Sequence, residues 1–167
     1  SWDEPVIRVQ TQERLFKPPE IDVPVDANFA GYVSFLGYDL SEMKVDPGAV
    51  LPVTLYWQAR RSIGADLVLF SHLIGPDGKQ WGGQERKAQD NYSTIVWAPG
   101  EVVADTYSVQ VDPNAPPGTY YLLAGLYLPV GEAPVSLPLV ENGQMTGITH
   151  VTIGPIEVIE AGETIAQ

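Results

Sequence analysis

Thr119-Tyr120-Tyr121-Leu122-Leu123-Ala124-Gly125-Leu126-Tyr127-Leu128 is the stretch that decides the fold. Ten uncharged residues, rich in aromatic and aliphatic side chains, read as a β-strand. Successive side chains of a strand point to opposite faces. Tyr120, Leu122, Ala124 and Leu126 therefore share one face, and Tyr121, Leu123, Gly125 and Tyr127 share the other. Upstream lies Asp112-Pro113-Asn114-Ala115-Pro116-Pro117-Gly118, a loop whose prolines exclude both helix and inner strand.

The same signal repeats outward from this stretch. In Val50 to Ala59, Val53, Leu55 and Trp57 face one way and Thr54, Tyr56 and Gln58 the other, the period of a half-buried strand. Trp57 is the expected core anchor. Leu67 to Ile74 is nearly continuous apolar sequence and reads as a central strand, with His72 as a core histidine. Gly75-Pro76-Asp77-Gly78-Lys79 is a hairpin signal, and Gln80 to Arg86 is the partner strand. Tyr32 to Leu40 and Glu101 to Val111 are further strands. Val135 to Val140, broken by Pro138, is a weak edge strand. Gly147 to Ile159 supplies one long or two short strands around Gly154-Pro155, and residues 88–100 form a longer polar connection.

Eight or nine short strands with no helix predict an all-β chain of two packed antiparallel sheets. The expected architecture is an immunoglobulin/fibronectin-like β-sandwich over residues 30–160, with a jelly roll as the alternative. Residues 1–29, with Pro5, Pro18, Pro19 and Pro24, read as an extended segment or linker in which Val6 to Val9 could form an edge strand. Residues 161–167 read as a frayed tail. Composition agrees: 16 Gly and 15 Pro among 167 residues make about one residue in five, against about one in eight on average. The chain opens Ser1-Trp2-Asp3 and reads as a processed chain or a piece of something longer.

Charge narrows the function classes. Nine Lys and Arg against 21 Asp and Glu give −12, and no cation follows Lys87. Binding nucleic acid requires cations to neutralise phosphates, so that class is close to excluded, and anionic surfaces would be repelled. With no Cys there are no disulfides, thiolate nucleophiles or Cys-ligated metals. No run of about 18 apolar residues predicts a membrane span.

Catalytic patterns are sparse. No Gly-x-Ser-x-Gly, P-loop or dinucleotide fingerprint occurs, and neither His72 nor His150 sits in a recognisable nucleophile constellation. Asp105 or Glu101 could accept a hydrogen bond from His72. Asp90-Asn91 and Asp112 with Asn114 could offer oxygens to calcium, but no Asp-x-Asp-x-Asp-Gly pattern occurs and turn geometry explains these residues. No catalytic residue, metal or cofactor is expected, and a stand-alone hydrolase is the least favoured class. The aromatic residues carry more. Four Trp and eight Tyr outnumber four Phe, and flat amphipathic rings stack on sugars. Trp81 and Trp97 border polar loops and Tyr92 lies between them, so these three are the candidate glycan platform. Tyr56, Tyr121 and Tyr127 lie on the more polar faces of their strands.

Several motifs resemble a known domain type. They are Phe35-Leu36-Gly37-Tyr38-Asp39-Leu40, Pro47-Gly48 before Leu51-Pro52-Val53-Thr54-Leu55-Tyr56-Trp57-Gln58-Ala59, and Phe70-Ser71-His72-Leu73 with Pro76-Asp77-Gly78. Trp97-Ala98-Pro99-Gly100-Glu101-Val102-Val103 with Asp105, Pro116-Pro117-Gly118-Thr119-Tyr120 and Gly125-Leu126-Tyr127 complete the set. Over residues 30–155 the chain resembles the C-terminal β-sandwich domains of large bacterial polytopic glycosyltransferases of the protein-mannosyltransferase-like type. The resemblance implies an extracytoplasmic accessory domain attached to a membrane protein and supplies no catalytic residues. The expected function is a non-catalytic interaction module, its partner a neutral glycan or cell-envelope component. A purely structural spacer is the alternative.

Overall fold

A computed structural model describes residues 13–160. The strands are β1 (Val23–Phe29), β2 (Val33–Leu40), β3 (Lys44–Val45), β4 (Val50–Ala59), β5 (Val68–Ile74), β6 (Gln80–Arg86), β7 (Val102–Gln110), β8 (Gly118–Leu128), β9 (Val135–Ser136), β10 (Val140–Glu141), β11 (Gln144–Met145) and β12 (Val151–Val158). The described residues hold no α-helix; Thr94–Val96 is a single 3-10 turn.

Two sheets pack face to face. The first has the order β1-β2-β4-β7, the second β3-β12-β8-β5-β6, with β9 also on β8. Every pair is antiparallel except β3 with β12. The inward faces are those read from the alternation. Val53, Leu55 and Trp57 of β4 meet Tyr120, Leu122, Ala124 and Leu126 of β8 in one core. Trp57 has no exposed surface, and Phe29 and Phe35 lie 5.8 and 5.0 Å from its ring centre.

Pro52 sits in β4, an inner strand. It faces Ser108 of β7, whose carbonyl points outward to the Gln84 side chain (2.8 Å), so no ladder bond to β7 is lost. On the other side β2 stops pairing at Val53, one residue short of the proline. Proline therefore costs no ladder hydrogen bond here.

Side chains close the gap between the sheets along β6 and β7. Leu15 O accepts from Val102 N at the start of β7 (2.7 Å). Gln89 Nε2 donates to Ala104 O, Arg86 Nη2 to Thr106 O and Gln84 Nε2 to Ser108 O, at 2.9, 3.0 and 2.8 Å. Alternate carbonyls of an edge strand are thus capped by side chains, which blocks edge-to-edge pairing. Arg86 also pairs with Asp105, which is fully buried (Nη2–Oδ1 3.0 Å), and its guanidinium lies 4.3 Å from the Tyr107 ring centre. Burial pushes the Asp105 carboxyl up, against the pull of the Gln89 amide and of Arg86.

The sandwich begins earlier than residue 30. β1 pairs with β2, and Phe29 is buried in the core. Pro24, Asp26 and Asn28 hide this strand in the sequence, yet an edge position tolerates them. Val6 to Val9 and the tail at 161–167 lie outside the described residues. The expected edge strand at Val135 to Val140 divides into β9 and the β10–β11 hairpin, and Gly147 to Ile159 yields the single strand β12 with a register shift between Ile153 and Ile156.

Candidate functional site

Antiparallel order gives the sandwich two ends. One carries the β1–β2 turn and the connections at 60–67 and 87–101. The other carries the β5–β6 turn at 75–79 and the β7–β8 connection at 111–117. The three aromatics proposed as one platform are divided between them.

Trp97 is 2% exposed and belongs to the core. Its Nε1–H donates to the Tyr92 carbonyl (3.2 Å), and the two rings lie 6.3 Å apart. The Tyr92 hydroxyl donates to Glu101 Oε2 (2.7 Å), while Arg14 holds Glu101 Oε1 (2.9 Å). Burial, then the bond to Glu101, push Tyr92 up to about 12. Tyr92 and Trp97 pin the 87–101 connection to the sandwich. The Trp97 ring has no face open for a sugar.

Trp81 is at the opposite end and keeps part of its ring on the surface. It borders a shallow depression of about 550 Å³ lined by Gln80, Gly82, Gly83, Gln110, Asp112 and Pro113. The indole N–H points to both Asp77 oxygens (3.0 and 3.1 Å), and this bond holds the Asp77 carboxyl below its ordinary range. The ring's orientation is thereby fixed by the β5–β6 turn. The floor is backbone. Gly83 has φ +125°, and a Cβ there would fall 2.0 Å from the Ser71 carbonyl oxygen, so only glycine fits. Gln110 Nε2 is anchored on Gly48 O (2.8 Å), and Asp112 Oδ1 accepts from Asn114 N (2.8 Å). Aromatic wall, flat floor and a rim of amides and carboxylates stand together.

The depression adjoins the outer face of the second sheet, because Gly83 pairs with His72 and Gln80 with Ile74. His72 is not a core residue. Its side chain is 30% exposed, its Nε2 lies 3.4 Å from Glu85 Oε1, and its ring is 5.0 Å from Phe70. The inward positions of β5 are Leu69, Ser71 and Leu73, all fully buried. Neither Asp105 nor Glu101 is the partner of His72; they serve Arg86 and Arg14. Phe70 stacks on Tyr127 (6.3 Å), and Tyr121, 41% exposed, faces Ile74. An aromatic row thus lines the outer face; the sequence marked Tyr121 and Tyr127 but not Phe70 and His72. Tyr56 is buried, with its hydroxyl bonded to Asp39. Among the described residues no group of three His, Asp or Glu is arranged to hold a metal ion.

No protein-family model matches the chain, and no curated protein matches it.

Proposed function

We propose that the chain is a non-catalytic interaction module that binds a neutral glycan in the Trp81 depression. The observation that carries this reading is a part-exposed indole, fixed in orientation by Asp77, standing over a glycine floor rimmed by Gln80, Gln110 and Asp112. The C–H face of a sugar ring stacks on an indole, and its hydroxyls pair with amides and carboxylates. The carboxylates disfavour an anionic sugar at this end.

We further infer that the sandwich is of the immunoglobulin/fibronectin type. Two features support this: the order β2-β4-β7 against β12-β8-β5-β6, and the Tyr120 hydroxyl near the start of β8, which donates back to Pro116 O (2.6 Å) as in a tyrosine corner. The module is proposed to act outside the cytoplasm, as an accessory part of a larger glycosyltransferase-like membrane protein.

Calorimetric titration with neutral oligosaccharides at low and high salt tests the binding reading. Expected are saturable heat, an affinity nearly independent of salt and loss of binding in Trp81→Ala. Tyr92→Phe keeps binding. No heat at millimolar ligand, or binding that survives Trp81→Ala, favours a structural spacer instead.

A further inference from the structure

The end of the sandwich opposite Trp81 carries a second recess of different chemistry. An open cleft of about 340 Å³ lies between the Ala30–Tyr32 turn, the 60–67 connection and the end of β8. Tyr32, Ile63, Leu67, Leu128 and Leu137 give it apolar walls. A polar depression on the same end is lined by Gly31, Ser34, Gln58 and Gly100 together with Arg60 and Arg61. Arg61 links the polar depression to a wall of the cleft. The Arg61 guanidinium lies 5.0 Å from the centre of the Tyr32 ring, and that ring is a wall of the apolar cleft. Arg60 Nη1 donates to Ser34 Oγ (3.0 Å).

Neither arginine has a carboxylate partner among the described residues. Arg14, Arg86 and Lys87 pair with Glu101, Asp105 and Asp66. In a chain of net charge −12, two adjacent guanidiniums with no acid against them among the described residues make a local site for an anion.

We propose that this end binds an aliphatic carboxylate, with its chain in the cleft and its head on Arg60 and Arg61. The cleft walls offer no charge to a polar ligand, and the arginines offer no apolar contact to a neutral one; an amphiphile with an anionic head uses both. A carboxylate fits better than a phosphate monoester. Its planar fork matches one guanidinium, and the negative field of the whole chain opposes a dianion more than a monoanion. The site is independent of the Trp81 depression and of the glycan reading.

The test is an NMR titration of the full chain with octanoate, octyl phosphate, octanol and acetate. Octanoate is expected to shift the amides of residues 60–67 saturably. It should bind about tenfold more tightly than octanol, the worth of one charge-assisted hydrogen bond. Acetate lacks the chain and should not saturate. Replacing both arginines (Arg60→Gln with Arg61→Gln) should bring octanoate down to the octanol affinity. Gly64→Leu should block the cleft and remove binding of both. A Cβ at Gly64 meets no heavy atom within 4 Å, so the variant adds bulk at the cleft without a backbone clash. Octanol binding as tightly as octanoate, octanoate affinity unchanged in the double arginine variant, or no saturable shift at millimolar octanoate would overturn the proposal. Octyl phosphate binding more tightly than octanoate would overturn the choice of head group. The arginine variants are surface changes, so they decide the matter even if Gly64→Leu fails to fold.

Discussion

Replacing Asp105 with alanine tests the tie between the two sheets. The carboxylate is fully buried and accepts from Arg86 Nη2 (3.0 Å), Arg86 Nη1 (3.4 Å) and the Gln89 amide (2.9 Å). Arg86 itself is only 15% exposed. Alanine leaves the part-buried guanidinium with only the exposed Asp90 carboxylate beside it (3.2 Å), and breaking a buried pair in this way costs about 3–5 kcal/mol. At roughly 2–4 °C per kcal/mol for a chain of this size, the melting temperature should fall by roughly 6–20 °C. Urea denaturation followed by tryptophan fluorescence measures the loss directly. Exchanging both partners for apolar residues (Arg86→Met with Asp105→Leu) should recover most of it, because the pair spends much of its attraction on desolvation. A loss below about 1 kcal/mol in Asp105→Ala would refute the reasoning: the carboxylate would then be reached by water, and the β6–β7 closure would be looser than described.

Trp57→Ala should cost about 3–5 kcal/mol in the same assay, since the ring has no exposed surface and fills the space between Phe29 and Phe35. The alkaline limb of stability should depend on Tyr92. Its folded pKa of about 12 exceeds the ordinary 10.0, so its contribution is complete below pH 10.0 and is lost as pH rises through about 12. Tyr92→Phe should flatten that limb in denaturation midpoints measured from neutral to alkaline pH, while Tyr56, also pushed up to about 12, and Tyr107, Tyr120 and Tyr127, each raised by burial, keep part of it.

Where strands alternate between apolar and polar residues, the faces were legible in advance. Val53, Leu55 and Trp57 point inward as read, and so do the four inward residues of β8. Leu67 to Ile74 is apolar on both faces, so its alternation was silent. The one small polar residue, Ser71, went inside and His72 went out. Trp81 and Trp97 look alike in sequence because both border polar loops. Trp97 follows a non-periodic connection, where no alternation gives a direction, and bonds within that connection through Tyr92 and Glu101, the latter held by the distant Arg14, draw it into the core. The depression beside Trp81 also escaped the sequence. Its lining comes from residues 80–83 and 110–113, brought together only when β6 closes on β7.

The one-sided charge pattern of the sequence has a structural counterpart. Cations of the first half reach across the fold to acids of the second: Arg14 to Glu101 and Arg86 to Asp105, with Asp90 a local second partner of Arg86. Each such pair ties a segment to β7 or to the loop before it. The asymmetry in chain order is therefore partly cancelled in space along the β6–β7 side. Arg60 and Arg61 are adjacent in sequence and stand outside this stitching. They hold to Ser34 and Tyr32, both beside the β1–β2 turn. A residue recruited only for solubility in an acidic chain would gain nothing from being positive. Two adjacent ones, placed on a hydroxyl and an aromatic ring at the rim of an apolar cleft, fit recognition better than stability.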